Sequence, residues 1–121
     1  MKRKKILLVD DSNTALLMEK MILKRYEIDV AKDGQEGYDK ATADPPDLIL
    51  LDLVMPRMDG LETCRRLRGH DSTRAVPIIM VTTRSELSNV ETGFANGCNE
   101  YVTKPIDGTE LLSKVRNIIG E

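Results

Sequence analysis

Histidine, cysteine and aromatic residues are scarce in this chain, and each scarcity removes a kind of chemistry. His70 is the sole histidine, which argues against catalytic triads, zinc triads and His-pair metal sites. It lies in Arg68-Gly69-His70-Asp71-Ser72, a loop composition. Cys64 and Cys98 are the only cysteines, and neither has a second Cys or a His at zinc-ligand spacing; both are expected as reduced, partly buried thiols. Tryptophan is absent, and Phe94 and three tyrosines are the only aromatics. No apolar run approaches the ~20 residues that cross a bilayer. Neither sign of charge dominates: 18 basic and 20 acidic residues leave a net charge of −2, which speaks against a whole-surface nucleic-acid binder. The basic leader Lys2-Arg3-Lys4-Lys5 contains no aromatic and is expected to be a solvated approach to the first strand. The apolar stretch after it is too short for a signal peptide and ends in two aspartates, so a cytoplasmic protein is expected. Whatever chemistry this chain performs falls to carboxylates, hydroxyls and lysine.

What the sequence does have is a rhythm. The 121 residues are enough for one domain, expected over 1–121, with a core that needs no disulfide or metal. Lys5-Ile6-Leu7-Leu8-Val9 is a short continuous apolar run, the signature of a strand buried on both faces. Asp11-Ser12 offers capping side chains for a helix over 13–25, with Ala15, Met18 and Ile22 as its inward stripe. Strands follow at 28–31, 48–51, 77–81 and 101–103, and helical stripes at Leu61-Cys64-Leu67, Leu87-Val90-Phe94 and Leu111-Val115-Ile118, with a short helix at 35–43. Phe94 is expected in the core. Asp33-Gly34, Asp44-Pro45-Pro46, Pro56 and Asp59-Gly60 punctuate the connections. Five buried strands alternating with five helices imply an α/β fold: a parallel sheet covered on both faces, with right-handed crossovers.

In such a sheet, function gathers beyond the carboxyl ends of the strands. The first strand ends in Asp10-Asp11, the third in Asp52, the fourth in Thr82 and the fifth before Lys104. Crowded carboxylates repel unless a cation sits among them, and hard oxygen donors suit Mg²⁺. A carboxylate can also act as a nucleophile and accept a phosphoryl group, a transfer that needs mainly positioning and charge neutralisation. Mg²⁺, Lys104 and Thr82 could each attend one phosphoryl oxygen.

Leu7-Leu8-Val9-Asp10-Asp11-Ser12, the stretch Asp52 to Gly60, Val81-Thr82 and Tyr101-Val102-Thr103-Lys104-Pro105 together resemble the receiver domain of bacterial two-component response regulators, of the CheY-like type. The resemblance covers essentially the whole chain. It implies a flavodoxin-like (βα)5 three-layer sandwich with strand order 2-1-3-4-5. It implies that Asp52 accepts phosphate from a histidine kinase or phosphotransfer protein, and that Asp10, Asp11, Asp52 and the backbone carbonyl of Val54 hold Mg²⁺. Lys104 would contact the phosphoryl group, and its bond to Pro105 would be cis. Thr82 and Tyr101 would be the switch pair, whose movement remodels the surface of the fourth helix, fifth strand and fifth helix for a downstream protein or a fused output domain. Neither direct nucleic-acid binding nor membrane binding is implied for the domain; a phosphorylation-dependent homodimer is left open. Thr83 stands where Ala or Gly is common after the switch hydroxyl. With Val54 and Arg84 flanking the site, a phosphoryl lifetime longer than a fast chemotaxis regulator's is expected.

Two other readings stand beside this one: a pseudo-receiver that binds partners without phosphorylation, and an Mg²⁺-dependent phosphatase working through an aspartyl phosphate. The intact set of five residues weighs against the first. The adjacency of Asp10 and Asp11 and the lone Asp52 at a later strand weigh against the second. A flavin domain is weaker still, because Asp11-Ser12-Asn13-Thr14 is acidic where phosphate would sit. The first helix carries more apolar residues than one stripe needs: Leu16, Leu17, Met21 and Leu23. They are expected either to pack widely against the last helix or to form a partner patch. The chain is read as either a stand-alone regulator or a receiver from a longer protein.

Overall fold

The computed structural model describes residues 3–120. Lys2 of the basic leader, and the side chain of Leu87 proposed for the fourth helical stripe, lie outside the described residues. Five parallel strands form one sheet in the order β2-β1-β3-β4-β5: β1 (Lys5–Val9), β2 (Glu27–Ala31), β3 (Leu48–Asp52), β4 (Ile78–Thr83) and β5 (Glu100–Lys104). The helices are α1 (Asn13–Ile22), α2 (Gly34–Ala43), α3 (Gly60–Arg68), α4 (Val90–Ala95) and α5 (Gly108–Ile119), and a 3-10 helix spans Arg84–Asn89. The chain is thus the expected α/β sandwich with the expected strand order.

Burial explains the strands' composition. All five residues of β3 are buried, which a central strand covered on both faces requires. The core is split by the sheet. One half gathers Leu7, Val9, Ile49, Leu51, Cys64, Leu67 and Met80. The other gathers Ile6, Leu8, Leu16, Leu50, Ile79, Val102, Leu111 and Val115. Alternate residues of each strand therefore serve opposite layers. Four helices begin on side-chain caps, with Ser12, Asp33, Asp59 and Asp107 accepting from backbone N–H groups three residues on, which satisfies donors a helix start leaves unpaired. Both cysteines are buried and unbridged, as expected. Arg3 and Lys4 are exposed, while Lys5 is drawn into a 2.8 Å pair with Asp44.

Two elements differ from expectation. In α1 the buried residues are Leu16 and Glu19, followed by Leu23 just past its end. Ala15 and Ile22 are only partly covered, and Met18 is 42% exposed. The true inward face is rotated by one residue. A carboxyl occupies its central position, so no run of apolar residues traces it. The helix also stops at Ile22, where Leu23 N donates to Glu19 O at 2.9 Å. Leu16 and Leu23 are core, whereas Leu17, Met18 and Met21 stand out together as an apolar strip. In the second case, Phe94 is 44% exposed. α4 has six residues behind a 3-10 helix, so 3.6-residue spacing counted back from Phe94 does not hold. The residue that turns inward is Gly93, where a Cβ would sit 3.3 Å from Cys98 Sγ.

Candidate functional site

The carboxyl edge of the sheet brings the expected residues to one place. Asp10 follows the last residue of β1, and its N–H donates to Ala31 O at 3.0 Å. Asp52 is the last residue of β3, paired in register with Val81 of β4. Thr82 follows Val81 and pairs with Thr103, and Thr83 pairs with Lys104. The parallel register therefore delivers carboxylates, hydroxyl and ammonium to a common rim.

Asp10, Asp11 and Asp52 offer carboxylate oxygens that all lie within 4.8 Å of one another. Asp10 is 1% exposed and Asp52 5%, while Asp11 faces solvent. One Asp10 oxygen, Oδ1, accepts from Ser12 N at 2.9 Å; this couples it to the residue that caps α1. The other, Oδ2, has no hydrogen bond, although Lys104 Nζ lies 3.2 Å away. Lys104 Nζ is also 3.5 Å from Asp52 Oδ1, so one ammonium is shared between two buried carboxylates. One cation does not offset the cluster: burial first, and Asp10's charge second, push Asp52 up to about 6. Burial alone would lower the Lys104 ammonium, but Asp52 and Asp10 more than compensate and hold it above its usual range.

This donor set fits a divalent cation. It is built of hard oxygens, it carries excess negative charge, and one of its buried oxygens lacks a hydrogen-bond partner. It is the single such cluster of metal-competent side chains among the described residues.

The loop beyond Asp52 is held tightly. Leu53 N donates to Val81 O and Gly60 N to Leu53 O, each at 2.8 Å. A Cβ on Gly60 would fall 2.4 Å from Asp52 O, so the start of α3 packs directly on the backbone of Asp52. Val54, two residues past Asp52, is 56% exposed. Arg57 takes a left-handed φ of 66° and points to Asp33 at 3.4 Å.

Thr82 is buried, and its hydroxyl donates to Thr83 O at 3.3 Å. Tyr101 is half-buried on β5. Its ring meets Phe94 edge-on at 6.4 Å, and Lys114 Nζ stands 5.0 Å from its centroid. The same Lys114 donates to Tyr101 O at 2.6 Å and pairs with Glu100 and Glu110. The Lys104–Pro105 peptide is cis, as the resemblance implied. Beside Lys104, an apolar depression of about 190 Å³ is lined by Ser12, Thr14, Ala15, Met18, Pro105 and Ile106.

Sequence reading missed Glu19. It is 1% exposed, neither carboxylate oxygen has a hydrogen-bond partner, and burial followed by Asp10's charge raises it to about 8. The clue was a lone acid, Glu19, between Leu16 and Leu23 at helical spacing.

A parallel sheet of this order, with an acidic cluster and a lysine at its carboxyl edge, is the arrangement expected of a receiver domain. The chain belongs to the response regulator receiver domain family, whose model matches residues 6–116. The response regulator PleD of Caulobacter vibrioides is 38% identical over 116 residues, which cover 94% of this chain and 26% of that protein; the chain thus spans about a quarter of that relative's length. The chemotaxis regulator CheY4 of Vibrio cholerae superposes with a TM-score of 0.90 at 31% identity, covering 97% of this chain and 99% of that one. The receiver domain of the sensor histidine kinase PA1611 of Pseudomonas aeruginosa, with a magnesium ion in its active-site cleft, superposes with a TM-score of 0.89 at 29% identity, covering 98% and 99%. The chain is therefore a receiver of two-component signalling, a family whose members work as signalling modules. Among the described residues no helix is long and apolar enough to cross a membrane.

Proposed function

We propose that residues 1–121 act as one phosphorylation-controlled switch, with Asp52 as the phosphoacceptor. The supporting observation is the Asp52 carboxylate itself: nearly buried, crowded by Asp10 and Asp11, and touched by a single ammonium. An oxygen of Asp52 forms the new O–P bond as the N–P bond of a donor phosphohistidine breaks and the imidazole leaves with the electron pair. The donor is a histidine kinase or a histidine phosphotransfer protein. Mg²⁺, the ion in the PA1611 receiver, would be held here by Asp10, Asp11, Asp52 and the backbone carbonyl of Val54, and would neutralise the negative charge of these carboxylates and of the incoming phosphoryl oxygens. Lys104 leaves Asp10 Oδ2 for a phosphoryl oxygen. Thr82 exchanges the weak 3.3 Å bond to Thr83 O for another phosphoryl oxygen. Tyr101, half-buried with Phe94 edge-on to its ring and Lys114 over its face, follows inward. The resulting change in α4, β5 and α5 is what a target protein or a fused output domain reads. The phosphoryl group stabilises this arrangement by contacting it better than the other, not by creating it.

The apolar strip of Leu17, Met18 and Met21, next to the depression beside Lys104, is the surface we assign to the donor's helices. Its neighbourhood to the acidic rim supports that assignment. The phosphoryl group on Asp52 is long-lived: Val54 and Arg84 are exposed at its margins, and Thr83 brings a hydroxyl already engaged with Ser85 at 2.9 Å. A half-life of seconds would contradict this last point. The whole reading is tested by intact-mass spectrometry after incubation with acetyl phosphate, with and without Mg²⁺. A phosphoryl adduct that needs Mg²⁺ and is absent from Asp52→Ala is expected. An adduct of equal yield on Asp52→Ala would refute it, and no adduct under conditions that label another receiver would favour a phosphorylation-independent binding module.

A further inference from the structure

Tyr101 stands at an open edge. β5 ends the sheet, so on its outer side a backbone group finds no strand to pair with. At Tyr101 side chains take the place of a strand. Glu100 Oε1 accepts from Tyr101 N at 3.0 Å, and Lys114 Nζ donates to Tyr101 O at 2.6 Å. Lys114 comes from α5, and its Nζ lies 3.5 Å from Glu100 Oε1 and 3.4 Å from Glu110 Oε2. Two carboxylates and a carbonyl thus fix where the ammonium stands. It stands 5.0 Å from the centroid of the Tyr101 ring, within the range where a cation is attracted to an aromatic face. The lysine side chain is 24% exposed, so water screens that attraction only in part. All of these partners belong to β5 and α5; none is a residue of the acidic rim.

We propose that Lys114 is a positioning residue of the switch: its ammonium, set in place by Glu100, Glu110 and the Tyr101 carbonyl, clamps the Tyr101 ring in the arrangement described above and opposes its inward turn. This rests on the reading of Tyr101 as the switch ring. A turn about the first side-chain torsion moves the ring between staggered positions and leaves the backbone carbonyl where it is. The 2.6 Å bond to Tyr101 O therefore serves both arrangements equally and biases neither. The ring contact is made in one and lost in the other, and only such a differential contact shifts a two-state equilibrium. Lys114 thus sets how much stabilisation a phosphoryl group on Asp52 must supply before the α4–β5–α5 surface changes. With the outward arrangement predominant in the free protein, weakening it lowers the concentration of phosphoryl mimic needed for half-saturation by the same factor.

The test is titration with beryllofluoride, a phosphoryl mimic, in the presence of Mg²⁺. The fluorine NMR signal of the bound mimic reads occupancy of Asp52, and the ring resonances of Tyr101, identified by their loss in Tyr101→Ala, read the switch. Wild type is compared with Lys114→Met, which keeps the apolar stem and removes the cation, and with Lys114→Arg, which keeps the cation. In free Lys114→Met the Tyr101 resonances should lie displaced from the free wild-type positions toward the mimic-bound ones. Its half-saturating beryllofluoride concentration should fall roughly two- to fivefold, while Lys114→Arg stays with wild type. Loss of a positive charge by itself weakens the hold on an anionic mimic, so tighter binding has the sign that charge alone cannot give. In a Tyr101→Ala background, Lys114→Met should no longer tighten binding. Unchanged or weaker binding by Lys114→Met would overturn the inference, as would equal tightening in the Tyr101→Ala background; in either case a wild type that still binds and moves its ring leaves the switch reading intact. A wild type whose Asp52 is occupied while the Tyr101 ring does not respond would overturn the switch reading and the inference together, and one that binds no mimic would overturn the phosphoacceptor reading with them.

Discussion

Asp52 is held in a place that suits the uncharged carboxyl better than the charged one. Its ordinary value of 3.8 rises to about 6 in the fold. For an acid shifted upward, the folded state binds the proton more tightly than the unfolded chain. Stability is therefore lost as pH rises from about 4 to about 6 and is not recovered above. Asp52→Asn removes the charge and keeps the shape. It should be more stable than wild type at pH 7 by roughly 1–3 kcal/mol, with the two converging below about pH 4. Urea melts of both proteins across that range check the sign; a variant less stable than wild type at pH 7 would contradict it. Lys104 works in the opposite sense. Lys104→Ala leaves two buried carboxylates without their shared cation, and with the lysine side chain 27% exposed the loss should be about 1–2 kcal/mol. Asp52 should still accept phosphate in that variant, while the α4–β5–α5 surface should no longer respond. Amide NMR shifts with and without beryllofluoride read this directly, and a wild-type pattern of shifts in the variant would refute the role given to Lys104.

At the level of elements, most of the fold was legible because burial was written plainly. β1, β3 and β4 are nearly continuous apolar runs that end in Asp10, Asp52 and Thr82, so the strands and the chemistry at their ends announced themselves together. α1 was misread because apolar spacing marks an inward face only where every inward residue is apolar, and Glu19 is not. α4 was misread because a 3-10 helix precedes it and a glycine, with no side chain to register, faces the core. The corrected α1 yields a prediction of its own. Leu17→Glu together with Met21→Glu, two positions more than half exposed, should leave stability within about 0.5 kcal/mol of wild type. Labelling by acetyl phosphate should be unchanged, while transfer from a cognate kinase should slow at least several-fold. Equal loss with both donors would move the strip from docking to folding. The β3–α3 junction yields another. Gly60→Ala drives a Cβ against Asp52 O, and should cost several kcal/mol and displace the acceptor; melting curves unchanged by the substitution would show that the contact relaxes freely.

The molecule as a whole couples these parts through the sheet. Its register sets which strand ends meet, and α1 closes the site from one side through Ser12 while β5 supplies Lys104 from the other. A divalent cation that binds the folded form and not the unfolded chain must stabilise the whole domain. Thermal melting should shift upward with Mg²⁺ concentration in wild type and hardly at all in Asp11→Ala, whose exposed carboxylate contributes little to the apo fold. Equal shifts in both would place the ion elsewhere. That Asp52, Lys104 and Thr82 could be picked out as neighbours before the fold follows from the same architecture, since parallel strands collect their carboxyl ends at one rim. What the chain could not disclose one residue at a time was how Lys104 divides itself between Asp10 and Asp52, which depends on atomic positions across three strands.

The central claim is that Asp52, and neither of its two acidic neighbours, takes the phosphoryl group. Borohydride reduces an aspartyl phosphate to homoserine, and peptide mass spectrometry then locates the converted residue. After reaction with acetyl phosphate and Mg²⁺, homoserine is predicted at position 52 alone, and at no position when Mg²⁺ is withheld. Homoserine at position 10 or 11, or conversion at 52 that proceeds equally without the ion, would contradict the mechanism.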